Sequence, residues 1–348
     1  QMVVNLKDIT RNIMAREKAL YVGHTVAAVA ATSDEIAEKA LGLIDIKYEV
    51  LPHVLEVEDA ERPDAPLLHE DMITIGVEPA PKKASNVAKR VEFGFGDVEK
   101  GFAEADLIVE REFTTQQVHQ GYIEPHACLA SVSEDGQADL WCTTQGAFVV
   151  RNFCSKLLGL SAAQIRVTAS EIGGGFGGKT VVYLEPLALA LSRKSCRPVK
   201  MDMSRAEVFT SSGPTSGAKI WVKIGVKNDG RITAGDCVLK YQAGAFQGAP
   251  VGPGAMCAFA PYDLENVRAV GYDIVVNRPK VAAYRAPGGP ISEYGVESVL
   301  DEIALKLKID ALESAQSLKE LKKAIKESND LLVKTGDAGS ESYQQMAK

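Results

Sequence analysis

Five glycines crowd around one phenylalanine in the run Gly173-Gly174-Gly175-Phe176-Gly177-Gly178. Lacking Cβ atoms, these positions open the positive-φ half of backbone space, so the chain can turn tightly and aim N–H groups at an anion or oxo group with no side chain between. Gln164 to Ala169 reads as a short strand before this loop, and Val181 to Leu191 as an apolar run suited to a helix after it. The loop is therefore the stretch around which a binding function would be organised.

Two nucleotide motifs fit its letters. Gly173 to Thr180 satisfies G-x-x-x-x-G-K-[ST], and Gly173, Gly175 and Gly178 satisfy G-x-G-x-x-G. A phosphate loop also needs an acid at a strand end to position Mg²⁺, and Asp202 is a candidate. The dinucleotide fold wants an acid about twenty residues on, and Asp202 lies beyond that distance. A P-loop or dinucleotide-binding protein is the alternative function.

Composition removes other classes. A chain of 348 residues can hold two domains with proper cores. With 46% hydrophobic and 24% charged residues it has an ordinary globular balance, and a net charge of −7 argues against nucleic acid. No window approaches a transmembrane length and the start lacks a signal-peptide core, so no membrane association and a cytoplasmic location are expected. Cysteines 128, 142, 154, 196, 237 and 257 form no C-x-x-C pair. Clustered thiolates for zinc or an iron–sulfur centre are thus missing, and reduced, mostly buried thiols are expected. The chain opens on Gln1 directly into ordered-looking sequence, as expected of a fragment.

In chain order, residues 20–50 read as strand, helix and strand. Thr32 and Glu35 form a capping box, and Ile44, Ile46, Tyr48 and Val50 alternate with Asp45, Lys47 and Glu49. Residues 60–90 carry little periodicity and suggest a surface linker, with a boundary near Ala84. A short helix and a strand follow around 97–115, with turns at Glu134-Asp135-Gly136 and Asn228-Asp229-Gly230. The strand before Gln145 delivers that residue at its end, and a helix spans 147–159. Residues 218–245 alternate, 244–254 read as a loop, and 265–285 as extended chain. A helix from about Ile291 puts Val296, Val299, Leu300, Ile303 and Leu307 on one face, and a second amphipathic helix is expected over 314–333.

Taken together, GYIEPHACLA at 121–130, WCTTQ at 141–145, GGGFGGK at 173–179, AYRAPGGP at 283–290 and ESVLDEIA at 297–304 resemble the molybdenum-binding subunit of the xanthine dehydrogenase and aldehyde oxidase family. The order and spacing are similar too, from about Glu17 to about Glu313. The resemblance implies an α+β chain: a truncated α/β hammerhead domain and linker over 1–83, the first half of a mixed α/β molybdopterin-binding domain over 84–313, and a helical, polar extension over 314–348. The family usually has glutamine where His24 stands. After Glu313 relatives continue into a second molybdenum-binding half that carries the general-base glutamate. This chain runs instead into a lysine-rich stretch, so the base is expected on a missing half or a partner chain.

The implied chemistry is oxidative hydroxylation, with water as oxygen source, at a molybdenum-molybdopterin cofactor, the cytosine dinucleotide form being one option. A molybdenum-bound hydroxide would attack an electron-poor carbon while hydride passes to a sulfido ligand. Iron–sulfur clusters and FAD would sit on partner chains, and a second molybdenum-binding chain is a further expected partner. The pterin holds the metal, so no direct protein ligand is expected. By resemblance, Gly174, Gly175, Phe176 and Gly177 form the cradle, with the N–H groups of Phe176 and Gly177 facing an oxo ligand. Gln145 donates its amide to an oxo ligand, and Arg285 with Ala286 lies beside the cofactor.

Thr180 stands where purine-hydroxylating relatives carry glutamate, and Tyr284-Arg285-Ala286-Pro287-Gly288 lacks the cysteine of carbon monoxide dehydrogenases. An aldehyde or N-heteroaromatic substrate is the resulting expectation. Each residue also has a plainer reading: a tight turn for the glycines, surface roles for Gln145 and Arg285. His119 and His126, near Glu124, lack a third convergent ligand and are read as structural. A catalytically inactive half-subunit is the remaining alternative.

Overall fold

The computed structural model describes residues 6–307 and Lys323. The chain begins with helices α1 (Leu6–Ile13), α2 (Asp34–Gly42) and α3 (Val57–Ala60), then strand β1 (Val87–Phe95), helix α4 (Val98–Glu104) and strand β2 (Leu107–Thr115). Strands β3 (Ala127–Val132) and β4 (Ala138–Cys142), helix α5 (Ala147–Leu158), strand β5 (Ile165–Ala169), helix α6 (Glu185–Ser195), strand β6 (Val199–Asp202) and helix α7 (Arg205–Ser211) follow. Strands β7 (Ala218–Val226) and β8 (Ile232–Gly244), helix α8 (Val251–Cys257), strand β9 (Val267–Val275) and helix α9 (Gly289–Leu307) complete it.

The strands make two mixed sheets, ordered β1-β9-β8-β7-β2 and β5-β4-β3-β6. In the larger, β8 and β9 run parallel and the other neighbours antiparallel. On β7 the alternation buries Ala218, Ile220, Val222, Ile224 and Val226 against Val296, Val299 and Ile303 of α9. Gly295 permits this approach, since a Cβ there would lie 2.7 Å from Ile220 Cγ2. Burying each such valine or isoleucine is worth about 1.5–3 kcal/mol. The smaller sheet is a β3–β4 hairpin with β5 parallel to β4 and β6 antiparallel to β3. Its core joins Cys128, Ala130 and Leu140 to Val150 and Cys154 of α5 and Leu189 of α6.

The expected strand, helix and strand over 20–50 reduces to a helix. Residues 43–50 have no strand structure, and Leu43, Tyr48 and Val50 are exposed. An isolated strand leaves its N–H and C=O groups unpaired, and no described strand lies beside this segment, so alternation alone does not fix it. The cap of α2 is Ser33, whose hydroxyl accepts from Ile36 N, one residue after the expected Thr32. Outside α2, which buries no residue, Leu20, Val54, Val57, Ala60 and Leu68 pack on Phe246 and Ile274. Buried Asn86 ties this layer together by accepting from Leu68 N and donating to the Ala60 and Pro66 carbonyls.

Other expectations need smaller changes. The helix after the glycine loop begins at Glu185 rather than near Val181, with Pro186 in its first turn. The stretch expected as a loop over 244–254 includes the start of α8. The helix expected over 314–333 lies outside the described residues apart from Lys323. No helix among the described residues is long and apolar enough to cross a membrane.

Candidate functional site

The glycine loop lies between β5 and α6, and the open end of the β3–β4 hairpin holds it. Thr143 N donates to Ala127 O across that end. Glu124, just before β3, and Gln145, just after β4, therefore emerge side by side toward the loop.

Gln145 meets the loop with its amide oxygen. Oε1 accepts from Gly177 N at 2.9 Å and Lys179 N at 3.2 Å, and Gln145 N donates to Lys179 O at 2.9 Å. Because two N–H groups converge on one side-chain atom, that atom is the oxygen, and the NH₂ group must point away. Nε2 has no partner among the described residues. A Cβ at Gly175 would sit 2.6 Å from Gln145 Oε1, so glycine is required for this contact.

The crown of the loop is a turn in which Gly178 N donates to Gly175 O at 2.7 Å while both central residues have positive φ, Phe176 at 50° and Gly177 at 103°. Such a backbone state is rare for a side-chain-bearing residue and is held by its surroundings. The carbonyl of Phe176 accepts from Arg285 N at 2.9 Å, which brings Arg285 and Ala286 beside the loop. Ala286 also has positive φ, 57°, and both it and Arg285 are exposed. The N–H groups of Gly174, Gly175 and Phe176 donate to no acceptor among the described residues. Gly177 N–H, expected to face a ligand, is engaged by Gln145 instead.

Beneath the loop lies a polar layer. Lys179 Nζ, fully buried, pairs with Glu124 Oε2 at 2.7 Å and stands 5.0 Å from the Tyr122 ring centroid. Burial pushes the Glu124 carboxyl up, but the Lys179 ammonium and the Gly173 N–H outweigh it and hold the group below the usual glutamate value. Tyr122 Oη lies 2.6 Å from His126 Nε2 and 3.2 Å from Ser212 Oγ, which is 3.0 Å from His119 Nε2. Burial, with the nearby Lys179 and His119 charges, lowers His126 to about 3, so it is neutral. No group of three or more His, Cys, Asp or Glu side chains placed to hold a metal ion occurs among the described residues.

This geometry does not make a nucleotide loop. A phosphate loop needs a helix N-terminus at its end and a lysine free to reach phosphate. Here α6 starts only at Glu185, Lys179 is buried against Glu124, and exposed Asp202 pairs with Lys200.

Comparisons with known proteins follow the same lines. Residues 80–316 match the family described as molybdopterin cofactor-binding domain. The chain belongs to that family. Residues 1–52 match the a/b hammerhead domain of aldehyde oxidase and xanthine dehydrogenase. A probable xanthine dehydrogenase subunit from Bacillus subtilis is 32% identical over 306 residues, covering 86% of this chain and 39% of the relative. The nicotinate dehydrogenase large molybdopterin subunit of Eubacterium barkeri is 27% identical, covering 85% of this chain and 68% of that protein. Among solved structures, the carbon monoxide dehydrogenase from Oligotropha carboxidovorans is similar at a TM-score of 0.79 and 29% identity, over 86% of this chain and 39% of the other. The chain thus spans about two-fifths of the length of that dehydrogenase chain and of the Bacillus relative.

The molybdopterin-family fold brings Gln145, Gly174, Gly175, Phe176, Gly177, Arg285 and Ala286 into one neighbourhood. Sequence reasoning missed the Lys179–Glu124 pair. Lys179 follows the glycines where a phosphate loop carries its phosphate ligand, and nothing local marks it as buried.

Proposed function

We propose that this chain provides the molybdopterin cradle of a molybdenum hydroxylase. The observation that carries this reading is convergence. Three segments distant in sequence meet beside the loop and bring together donors that have no acceptor among the described residues: Gln145 Nε2, the N–H groups of Gly174, Gly175 and Phe176, and the exposed Arg285 guanidinium. Such a set fits an oxygen-rich, anionic group such as oxo ligands and a pterin phosphate, and holds it without supplying a metal ligand. When bound, the molybdenum cofactor supplies two-electron oxidation of a substrate C–H bond with water as the oxygen source.

The chain's own residues bind and orient. Gln145, fixed by Gly177 and Lys179, presents an N–H donor in one direction only. The turn presents the Phe176 N–H with little reorganisation, because its backbone is already held by the contacts of Gly177 N to Gln145 and of Phe176 O to Arg285. Arg285 offers a guanidinium to oxygen-rich groups. The general base lies on a second molybdenum-binding half or partner chain, with electrons leaving through an iron–sulfur subunit and an FAD subunit. Thr180 and the Ala286-Pro287-Gly288 segment favour an aldehyde or N-heteroaromatic substrate. The division at about residue 84 separates the hammerhead portion from the cofactor-binding portion.

The test is to purify the protein with its natural companions and measure molybdenum and pterin per chain, for wild type and Gln145→Ala. Stoichiometric molybdenum and pterin that fall sharply in the variant are expected. A wild-type complex with neither would end this reading.

A further inference from the structure

We propose that Glu124 is a positioning residue, a carboxylate staple that joins the two ends of the glycine loop and thereby sets the donor face of Gln145. The inference rests on the reading of the loop as a cofactor cradle. A single oxygen, Glu124 Oε2, accepts from Gly173 N at 2.8 Å and from Lys179 Nζ at 2.7 Å. One atom therefore bridges the first glycine of the loop and the lysine that ends it. Glu124 N donates back to Gly173 O at 3.2 Å, which fixes the entry end in both directions.

From Lys179 the connection passes to Gln145. The Lys179 side chain is fully buried, and its Nζ is anchored by Glu124 Oε2 and, at 3.4 Å, the Pro125 carbonyl. Its backbone N–H donates to Gln145 Oε1, while its carbonyl accepts from Gln145 N at 2.9 Å and Thr144 Oγ1 at 3.1 Å. A shift of Lys179 thus moves the acceptor and donor contacts that decide which way the Gln145 amide faces. The loop has little apolar anchorage of its own, because its one large side chain, Phe176, is 50% exposed. Polar ties must carry its position. Glu124 holds its ends and Gln145 its crown, and both leave the same open hairpin end.

A plainer role for Glu124 would be to neutralise a buried ammonium. Two variants separate the roles, made in the chain together with whatever subunits purify with it: Glu124→Met, which removes the accepting oxygen at similar volume, and Glu124→Met combined with Lys179→Met, which removes both charges. The readouts are amide hydrogen exchange of residues 173–180, exchange of β7 as an internal reference, and molybdenum and pterin per chain. With the staple, both variants exchange about tenfold or more faster in the loop while β7 is unchanged, and both retain far less cofactor. If the single variant fails to fold because its ammonium is unpaired, the double variant carries the test. A double variant with wild-type loop exchange and cofactor content would overturn the proposal, leaving Glu124 as a counter-ion only. Should the wild-type complex hold no molybdenum or pterin, the cradle reading falls, while the exchange comparison still decides whether Glu124 staples the loop.

Discussion

The N–H of Arg285 donates to the carbonyl oxygen of Phe176 at 2.9 Å, so the arginine segment and the glycine loop form one structure although they lie far apart in the chain. The next residue, Gly177, rests on the same segment: its φ is 103°, and a Cβ would fall 2.6 Å from Ala283 O.

Gly177→Ala therefore faces a wrong backbone region and a backbone clash together. We expect a loss of about 1–3 kcal/mol in stability, read from denaturant midpoints, with a larger fall in retained molybdenum. An alanine variant with unchanged midpoint and unchanged molybdenum would contradict this account of the junction.

Gln145→Ala leaves the Gly177 and Lys179 N–H groups without their acceptor. Water reaches the Gly177 side, so the stability cost should be only about 1 kcal/mol. Gln145→Glu can still accept from both N–H groups but presents carboxylate oxygen where the amide presents a donor. It should fold like wild type and fail to retain cofactor. Cofactor retention by the glutamate variant would show that the outward donor is not needed.

His126 predicts a pH effect. Its folded value is lowered to about 3, first by burial and then by Lys179 and His119, against 6.5 for an ordinary histidine. Between these values the unfolded chain binds the proton and the folded chain does not, so stability falls as pH drops below 6.5 toward 3. From pH 6.5 to pH 5 this one residue should cost about 2 kcal/mol. The Glu124 carboxyl, held low, acts in the same direction, so wild type should be compared with His126→Gln, whose amide can still bond Tyr122. Urea midpoints should depend less on pH in the variant, and parallel profiles would remove His126 from the explanation.

Thiol labelling tests the cores. Burial pushes the Cys128, Cys154 and Cys237 thiols far up and Cys142 up to about 12, whereas Cys196 is exposed. A maleimide at neutral pH should add to Cys196 quickly and to those four only after denaturation, as seen by intact mass and peptide mapping. Rapid native labelling of Cys128 or Cys154 would mean that the smaller sheet's core is open.

Local signals were the legible ones. The loop glycines, the turns at Gly136 and Gly230 and the apolar face of α9 each follow from backbone freedom or periodicity. Pro186 could have placed the start of α6, because proline fits only the first turn of a helix. Gln145 and Arg285 were reachable through the company of other motifs. Glu124 and Lys179 were not, because the burial of a charge depends on what packs around it. The alternation over 44–50 misled for a related reason: a strand exists only beside another strand.

The order of the larger sheet has a consequence for how the chain reaches its fold. Strands β1 and β2 are nearly consecutive in sequence yet occupy opposite edges, with β9, β8 and β7 between them. A ribosome emits both edges long before the centre they need, so neither can close its ladder until residues 218–275 are available. Pairings of such long sequence separation are slow to form and leave apolar edges open in the interval. The chain is made from the edges of this sheet first, and assistance during synthesis would act on residues 87–115 while they wait.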